Sequence, residues 1–459
     1  MNTETCKLLI IGAGPGGYVC GIRAGQLGID TIVVEGNKPG GTCLNVGCIP
    51  SKALIHAADE FAKVAHFTGD NDLGIATATP TIDMAKTVAW KDGIVKRLTT
   101  GVSGLLKKAR TRTVSGNAQI IDGKTVEVAT AEGPLRITCE NLVIATGSRP
   151  FELPFLPFGG PVISSTEALD LQEVPQKLTV VGGGYIGLEI GTAMAKLGAA
   201  VTVVEAADRI LPQYDAELTK PVLNRLKALG ITLHLSAKAR GLSEDGNALL
   251  TETQDGALEI PSDKILVTVG RAPVTQGFGL DDLGLTMNGP FVAIDDHCAT
   301  SMRGVYAIGD VTGDPMLAHR AMAQGTIVAE HIAGQPSVWD KRAIPAVCFT
   351  DPEIVTVGAL PGDIDGARTA LFPFAANGRS MTMERDDGFV RIVHDPETEL
   401  VLGLHAVGAS VSELSGEFAL AIEMGATLTD IAATIHAHPT LSETVQETAL
   451  KSLGKALHI

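Results

Sequence analysis

The sequence predicts an α/β chain with two βαβ units and a separate α+β domain at its carboxy terminus. A repeat carries the first part of that prediction: "LLIIGAGPGGYVCGIRAGQLGIDTIVVE" at 8–35 returns as "LTVVGGGYIGLEIGTAMAKLGAAVTVVE" at 178–205. Gly12, Gly14 and Gly17 reappear as Gly182, Gly184 and Gly187, and Glu35 as Glu205, each 170 residues on. The setting of the glycines carries the second part, because both triplets follow a β-branched run and open a stretch of helical length. Beyond about residue 343 the pattern changes to mixed strands and then a helical tail, which marks the third domain.

Each unit reads as a strand, a glycine turn, a helix ending near Gly28 or Gly198, and a second strand closed by Glu. A lone G-x-G-x-x-G is a weak signal, but strand, helix and an acid 18 residues after the third glycine accompany it here twice. Both units are therefore expected to be Rossmann-like dinucleotide-binding domains. Glycines let the backbone approach a pyrophosphate, whose charge rests on free N–H groups at the helix start. The closing Glu accepts hydrogen bonds from the adenosine ribose. A 2′-phosphate would meet like charge at Glu205, and Arg209 is the one base close by in sequence, so NAD is favoured over NADP.

Between the units, "TRTVSGNAQIIDGKTVEVAT" reads as a small β region and "NLVIATGSRP" as a strand returning to the first sheet. "DKILVTVGRAP" reads as the strand closing the second sheet at about Pro273, and "GVYAIGDVTGDPMLAHRAMAQG" as a strand ending at Asp310 followed by a helix. The expected division is 1–150 with 274–342, then 151–273, then 343–459.

A formal net charge of −16 disfavours nucleic acid and anionic membrane surfaces as partners. The amino terminus is too short in apolar residues for a secretory core, and no run of 18 apolar residues marks a membrane helix. The expected location is cytoplasmic, where a close cysteine pair points to redox or metal chemistry more than to a structural staple.

That pair is Cys43 and Cys48 in "GGTCLNVGCIPSK". On a regular helix, residues five apart lie about 8–9 Å apart, beyond disulfide reach. A bond would need an irregular first turn, for which Gly40, Gly41 and Gly47 supply freedom and Pro50 suits a helix start. No second Cys/His pair has zinc-site spacing, so no metal is expected. Cys6, Cys20, Cys139, Cys298 and Cys348 read as inert buried thiols. His438 precedes Pro439, with Glu443 five residues on, so the carboxylate can hold one imidazole nitrogen, whereas His436 reads as structural. Lys52 on its own reads as a solvated helix-surface lysine.

The cysteine segment, the two glycine motifs, "ATGSRP", "AIGDV" and "HAHPTLSE" resemble the flavoprotein disulfide reductases, with motif order matched over essentially the whole chain. Within that family, "AVCFTDPE" and "FPFAANGR" look most like the form serving branched-chain 2-oxo acid dehydrogenase complexes. The resemblance implies FAD in the first unit, at Gly12, Gly14, Gly17, Glu35, Gly41, Thr42, Lys52, Gly116, Thr146, Gly147, Asp310, Leu317 and Ala318. It implies NAD in the second, at Gly182, Gly184, Tyr185, Ile186, Gly187, Glu205, Gly270 and Arg271. Cys43 and Cys48 would form a redox-active disulfide, Lys52 would pair with Glu189 near the flavin, and His438 with Glu443 would act as base. His438 would do so across a homodimer interface formed by the third domain. The implied reaction oxidises dihydrolipoamide on a lipoyl domain, beside the acyltransferase core of a 2-oxo acid dehydrogenase complex, and reduces NAD+.

Three rival readings remain. A glutathione-type reductase usually carries basic residues at the NADP ribose, and a mercuric reductase carries a cysteine pair near the carboxy terminus, whereas no cysteine follows Cys348 here. A redox-sensing flavoprotein subunit would need no positioned base such as His438.

Overall fold

The computed structural model describes residues 2–459. Its first sheet has seven strands, running in the order Arg112–Ser115, Thr31–Glu35, Asn2–Ile11, Gly133–Ile144, Thr125–Thr130 and Asn117–Asp122. Val305–Ala307 adds in parallel to the second half of Gly133–Ile144, with Val305 opposite Leu142. The strand Asn2–Ile11 is central and reads as a continuous apolar run because both its faces are covered: Leu8, Leu9 and Ile10 are fully buried. The small β region expected from the sequence is not separate. Gly133–Ile144 is twelve residues long, and its first half pairs antiparallel with Thr125–Thr130 while Leu135 to Ile144 pair parallel with Asn2–Ile11.

The second sheet is fully parallel, in the order Thr232–His234, Ala200–Val204, Lys177–Val181, Lys264–Val267 and Val162–Ile163. Its closing strand ends at Val267, earlier than the sequence suggested. Gly270, at φ +135°, breaks the chain there, and Arg271–Pro273 leaves to pair antiparallel with Ser148–Pro150. This two-stranded ribbon joins the two nucleotide-type units. The third sheet is wholly antiparallel, in the order Ala346–Cys348, Glu353–Gly358, Val401–Gly408, Phe389–His394 and Arg368–Pro373, with helices Ser415–Glu423 and Glu443–Ser452 packed on it and Leu428–Ala433 against the latter helix.

Arg391 ties the third sheet to the second unit. Its side chain is fully buried, and its guanidinium donates to Asp215 and, at 2.9 Å, to Glu217. Asp215 also caps the helix Ala216–Ala228 by accepting from the amides of Glu217 and Leu218. Arg391 Nε donates to His405 Nδ1 at 3.3 Å, which leaves the imidazole neutral with its proton on Nε2. Burial, and then the neighbouring guanidinium, lower the His405 pKa from 6.5 to about 3. Between those values the unfolded chain binds the extra proton and the fold does not, so stability falls as pH drops. From this group alone we expect a loss of about 2 kcal/mol between about pH 7 and pH 5. Urea unfolding of the wild type and of His405→Gln across that range checks it, and the variant should show the shallower slope.

Candidate redox site and nucleotide cradles

The two glycine loops share the same backbone contacts at the first and third glycines. Gly12 N donates to Val34 O at 2.8 Å and Gly182 N to Val204 O at 2.9 Å. A Cβ on Gly12 would lie 2.3 Å from Ala145 O, and one on Gly182 would lie 2.6 Å from Thr268 O. A Cβ on Gly17 would fall 1.9 Å from Gly12 O, and one on Gly187 would fall 2.5 Å from Gly182 O. No residue but glycine fits these positions. Gly184 by contrast faces open space, and neither Gly14 nor Gly184 caps its helix with a side chain. The first-turn amides are therefore free for an anion.

The closing acids fit their expected places and do more than expected. Glu35 accepts from Ala13 N at 2.7 Å and Asn37 N at 2.8 Å, while Glu205 accepts from Gly183 N at 2.5 Å and Ala207 N at 2.7 Å. Each carboxylate thus staples its own glycine loop and keeps further lone pairs for a ribose. Arg209 turns its guanidinium to Pro212 O at 2.7 Å, so it offers no fixed counter-charge to a 2′-phosphate. Gly41 packs on Gly14, where a Cβ would lie 2.5 Å from the Gly14 Cα. Gly116 N donates to Glu35 O at 2.9 Å, which places it beside the first acid. Leu317 is the uncapped start of the helix Ala318–Ile332, and Gly147 adopts φ +70°. Asp310 accepts from Ser148 Oγ, which itself accepts from Arg271 Nε at 2.7 Å. The Arg271 side chain is therefore committed to the joining ribbon, and Thr146 Oγ1 donates to Val274 O across the same joint. These cradles suit two dinucleotides.

Gly47, at φ −141° and ψ −110°, divides the cysteine segment into the short helix Gly41–Val46, which carries Cys43, and the helix Cys48–His66. Pro50 sits in the first turn of the second helix, where its missing N–H costs nothing. The break brings Cys48 back toward Cys43, and the two free thiols lie close enough to shift each other's ionisation. The neighbouring Cys43 thiol, with the Lys52 ammonium, lowers the pKa of Cys48, which is exposed. The neighbouring Cys48 sulfur, and then burial, push Cys43 up. Cys48 is thus the member that ionises first.

Lys52 lies one helical turn after Cys48. Its Nζ reaches Glu189 Oε2 at 2.7 Å, and Glu189 is only 4% exposed, so a buried carboxylate is matched by the cation expected for it. Two groups near this site carried no sequence signal. Tyr18, on the helix after the first glycine turn, has its phenol pKa raised by burial and by the two sulfurs. Phe349 N donates to Glu189 Oε1 at 2.9 Å and its ring lies 4.4 Å from Lys52 Nζ. Tyr185 stands at the start of the second-unit helix, its pKa raised to about 12 by burial and by Glu189. The other five thiols are buried, and all are pushed up by that burial.

His438 stands away from this group on the third domain, with its side chain 81% exposed. Its Nδ1 meets Glu443 Oε1 at 2.9 Å, and the other Glu443 oxygen accepts from Thr440 N at 2.7 Å. Burial pushes Glu443 up, but the Thr440 amide and His438 outweigh it and hold the carboxyl below its usual range. His438 Nε2 makes no hydrogen bond with the described residues of the subunit, and Ile435, three residues before His438, is 95% exposed. His436 is occupied by Glu417 Oε1 and Thr434 O, the structural role expected of it. Among the described residues, no group of three or more His, Cys, Asp or Glu could hold a metal ion, and no helix is long and apolar enough to cross a membrane.

Paired glycine cradles, an adjacent thiol pair and an antiparallel third domain define a pyridine nucleotide-disulphide oxidoreductase, and the chain belongs to that family. The family's model matches residues 6–325, and the model of its dimerisation domain matches 344–449. Within the family the chain sides with the dihydrolipoyl dehydrogenases: it is 58% identical to the one from Pseudomonas aeruginosa, over 99% of this chain and 98% of that one. It is 48% identical to the dihydrolipoyl dehydrogenase of Haloferax volcanii, over 98% and 97%. Among solved structures it superposes on LpdA from Mycobacterium tuberculosis with a TM-score of 0.89 at 28% identity, over 97% of this chain and 99% of that one.

Proposed function

We propose that the chain is an FAD-containing, NAD-dependent dihydrolipoyl dehydrogenase, acting as a homodimer on the lipoyl domain of a 2-oxo acid dehydrogenase complex, the branched-chain form by resemblance. The observation that carries this reading is the Cys43–Cys48 contact beside Lys52 and Glu189, between two glycine cradles. On this reading residues 1–150 and 274–342 hold FAD, 151–273 hold NAD, and 343–459 form the dimer interface, where exposed Leu420, Met424 and Ile435 would be covered. Gly12, Gly14, Gly17, Glu35, Gly41 and Asp310 would hold FAD, and Gly182, Gly184, Gly187 and Glu205 would hold NAD. Bound FAD supplies the chemistry that turns a thiol electron pair into a hydride for NAD+.

The chain's own residues do the rest. With the pair oxidised, His438 of a second copy accepts a proton at Nε2 from dihydrolipoamide, and the resulting thiolate attacks Cys43. The Cys43–Cys48 bond breaks, and Cys48 leaves as a thiolate facing Lys52. The second substrate thiol then attacks its own partner sulfur in the mixed disulfide, closing the lipoyl ring, and its proton ends on the released Cys43 sulfur. Glu443 holds the imidazole tautomer throughout.

Anaerobic mixing of the holoenzyme with dihydrolipoamide, glutathione or NADPH in separate cuvettes tests the assignment. Only dihydrolipoamide should alter the flavin band. Bleaching by glutathione or NADPH alone would replace this reading with a glutathione-type reductase.

A further inference from the structure

The Lys52–Glu189 pair is built from two helices, Cys48–His66 and Tyr185–Lys196, but a third element holds both of its charges. The strand Ala346–Cys348 of the carboxy-terminal sheet runs directly into Phe349. The amide of that residue donates to Glu189 Oε1 at 2.9 Å, and its ring face lies 4.4 Å from Lys52 Nζ. We infer that Phe349 is a positioning residue of the redox site, fixing the Lys52 ammonium against Glu189 and Cys48 from the carboxy-terminal domain. This inference rests on reading Cys43 and Cys48 as the redox pair.

A lysine ammonium sits on four rotatable bonds, and one carboxylate oxygen fixes it from one side only. The Lys52 side chain is a third exposed, so without a second wall its charge would spread toward water. The negative face of an aromatic ring supplies that wall. Phe349 cannot drift in turn, because its neighbours are anchored. Cys348 is fully buried, Thr350 donates to Pro352 O at 2.8 Å, and Asp351 is held by Lys196, Arg225 and Arg385. The backbone contact to Glu189 survives any side-chain replacement, which leaves the ring as the part a substitution can remove.

The titratable groups facing Cys48 are Cys43, Lys52, Glu189, Tyr18 and Tyr185. The test uses the holoenzyme carrying Cys43→Ser, which leaves Cys48 as the one sulfur of the pair. Its alkylation by iodoacetamide is followed by mass spectrometry across about pH 5 to 9. Adding Phe349→Leu should shift the midpoint upward and slow alkylation at neutral pH about two- to fivefold. Phe349→Tyr, which keeps the ring, should restore the profile. Lys52→Met should shift the midpoint too, and Phe349→Leu added to it should cause no further change. An unmoved midpoint in Phe349→Leu, or an equal extra shift in the Lys52→Met background, overturns the inference. Turnover reports separately: a wild type that ignores dihydrolipoamide removes the proposed substrate, while the alkylation midpoint still decides the role of Phe349.

Discussion

His438→Ala should lower dihydrolipoamide turnover at least about 100-fold while leaving the flavin bound and the melting temperature close to wild type. The size of the loss follows from what the ring alone supplies. Glu443 holds Nδ1 at 2.9 Å, so Nε2 is the only imidazole nitrogen left to take a proton. Without it the substrate enters as a thiol, and only its small thiolate fraction can attack Cys43. Stability should barely change, because a side chain 81% exposed in the subunit contributes little packing. Glu443→Gln should lie between wild type and His438→Ala, since the amide still accepts from Thr440 N but no longer stabilises an imidazolium. Steady-state rates with dihydrolipoamide and NAD+ measure the loss, and reduction of the bound flavin by NADH, which needs no dithiol, should stay intact. Unchanged turnover in His438→Ala would remove the assigned base.

Where residue identity is dictated by a close approach, the local backbone geometry was legible in the sequence alone. Gly17 and Gly187 touch the carbonyls of Gly12 and Gly182, and no other residue would fit, so the repeat kept its glycines at the same offset in both units. The cysteine segment was legible for a related reason: Gly47 and Pro50 specify a helix break, and the break is what joins Cys43 to Cys48. His438 and Glu443 were legible because five residues separate them. The helix Met84–Lys108 gave no comparable signal. No residue between Lys91 and Val102 is fully buried, so its middle carries no continuous apolar face. Phe349 was invisible because its partner Glu189 is 160 residues away, and an aromatic at a strand end reads as core. The ion pairs of Asp351 escaped for the same reason, with Arg225 lying 126 residues away.

Those ion pairs carry the largest stability effect we expect from a single charge. Asp351 is 9% exposed in its side chain, and its carboxylate takes Lys196 Nζ at 2.7 Å, Arg225 Nε at 3.0 Å and Arg385 Nη2 at 2.5 Å. Lys196 also reaches Asp59 on the helix that begins with Cys48, so this lysine links that helix to Asp351 of the carboxy-terminal domain. Removing a buried charge costs more than the pair was worth, because the partners are left without compensation. Asp351→Ala should therefore lose about 3 to 5 kcal/mol, read from urea unfolding at neutral pH. Arg225 and Arg385 can turn partly to water and Lys196 keeps Asp59, which places the loss toward the lower end. Acid supplies an independent check. Burial pushes Asp351 up, but Lys196, Arg385 and Arg225 outweigh it and hold the carboxyl well below its ordinary range. The folded state keeps this group ionised while the unfolded chain takes up a proton, so its contribution is complete above about pH 4 and fades as pH falls further. Asp351→Asn, with no charge to titrate, should show a shallower loss of stability below that pH than the wild type. Equal slopes would mean that the carboxylate is not held by its three cations in solution.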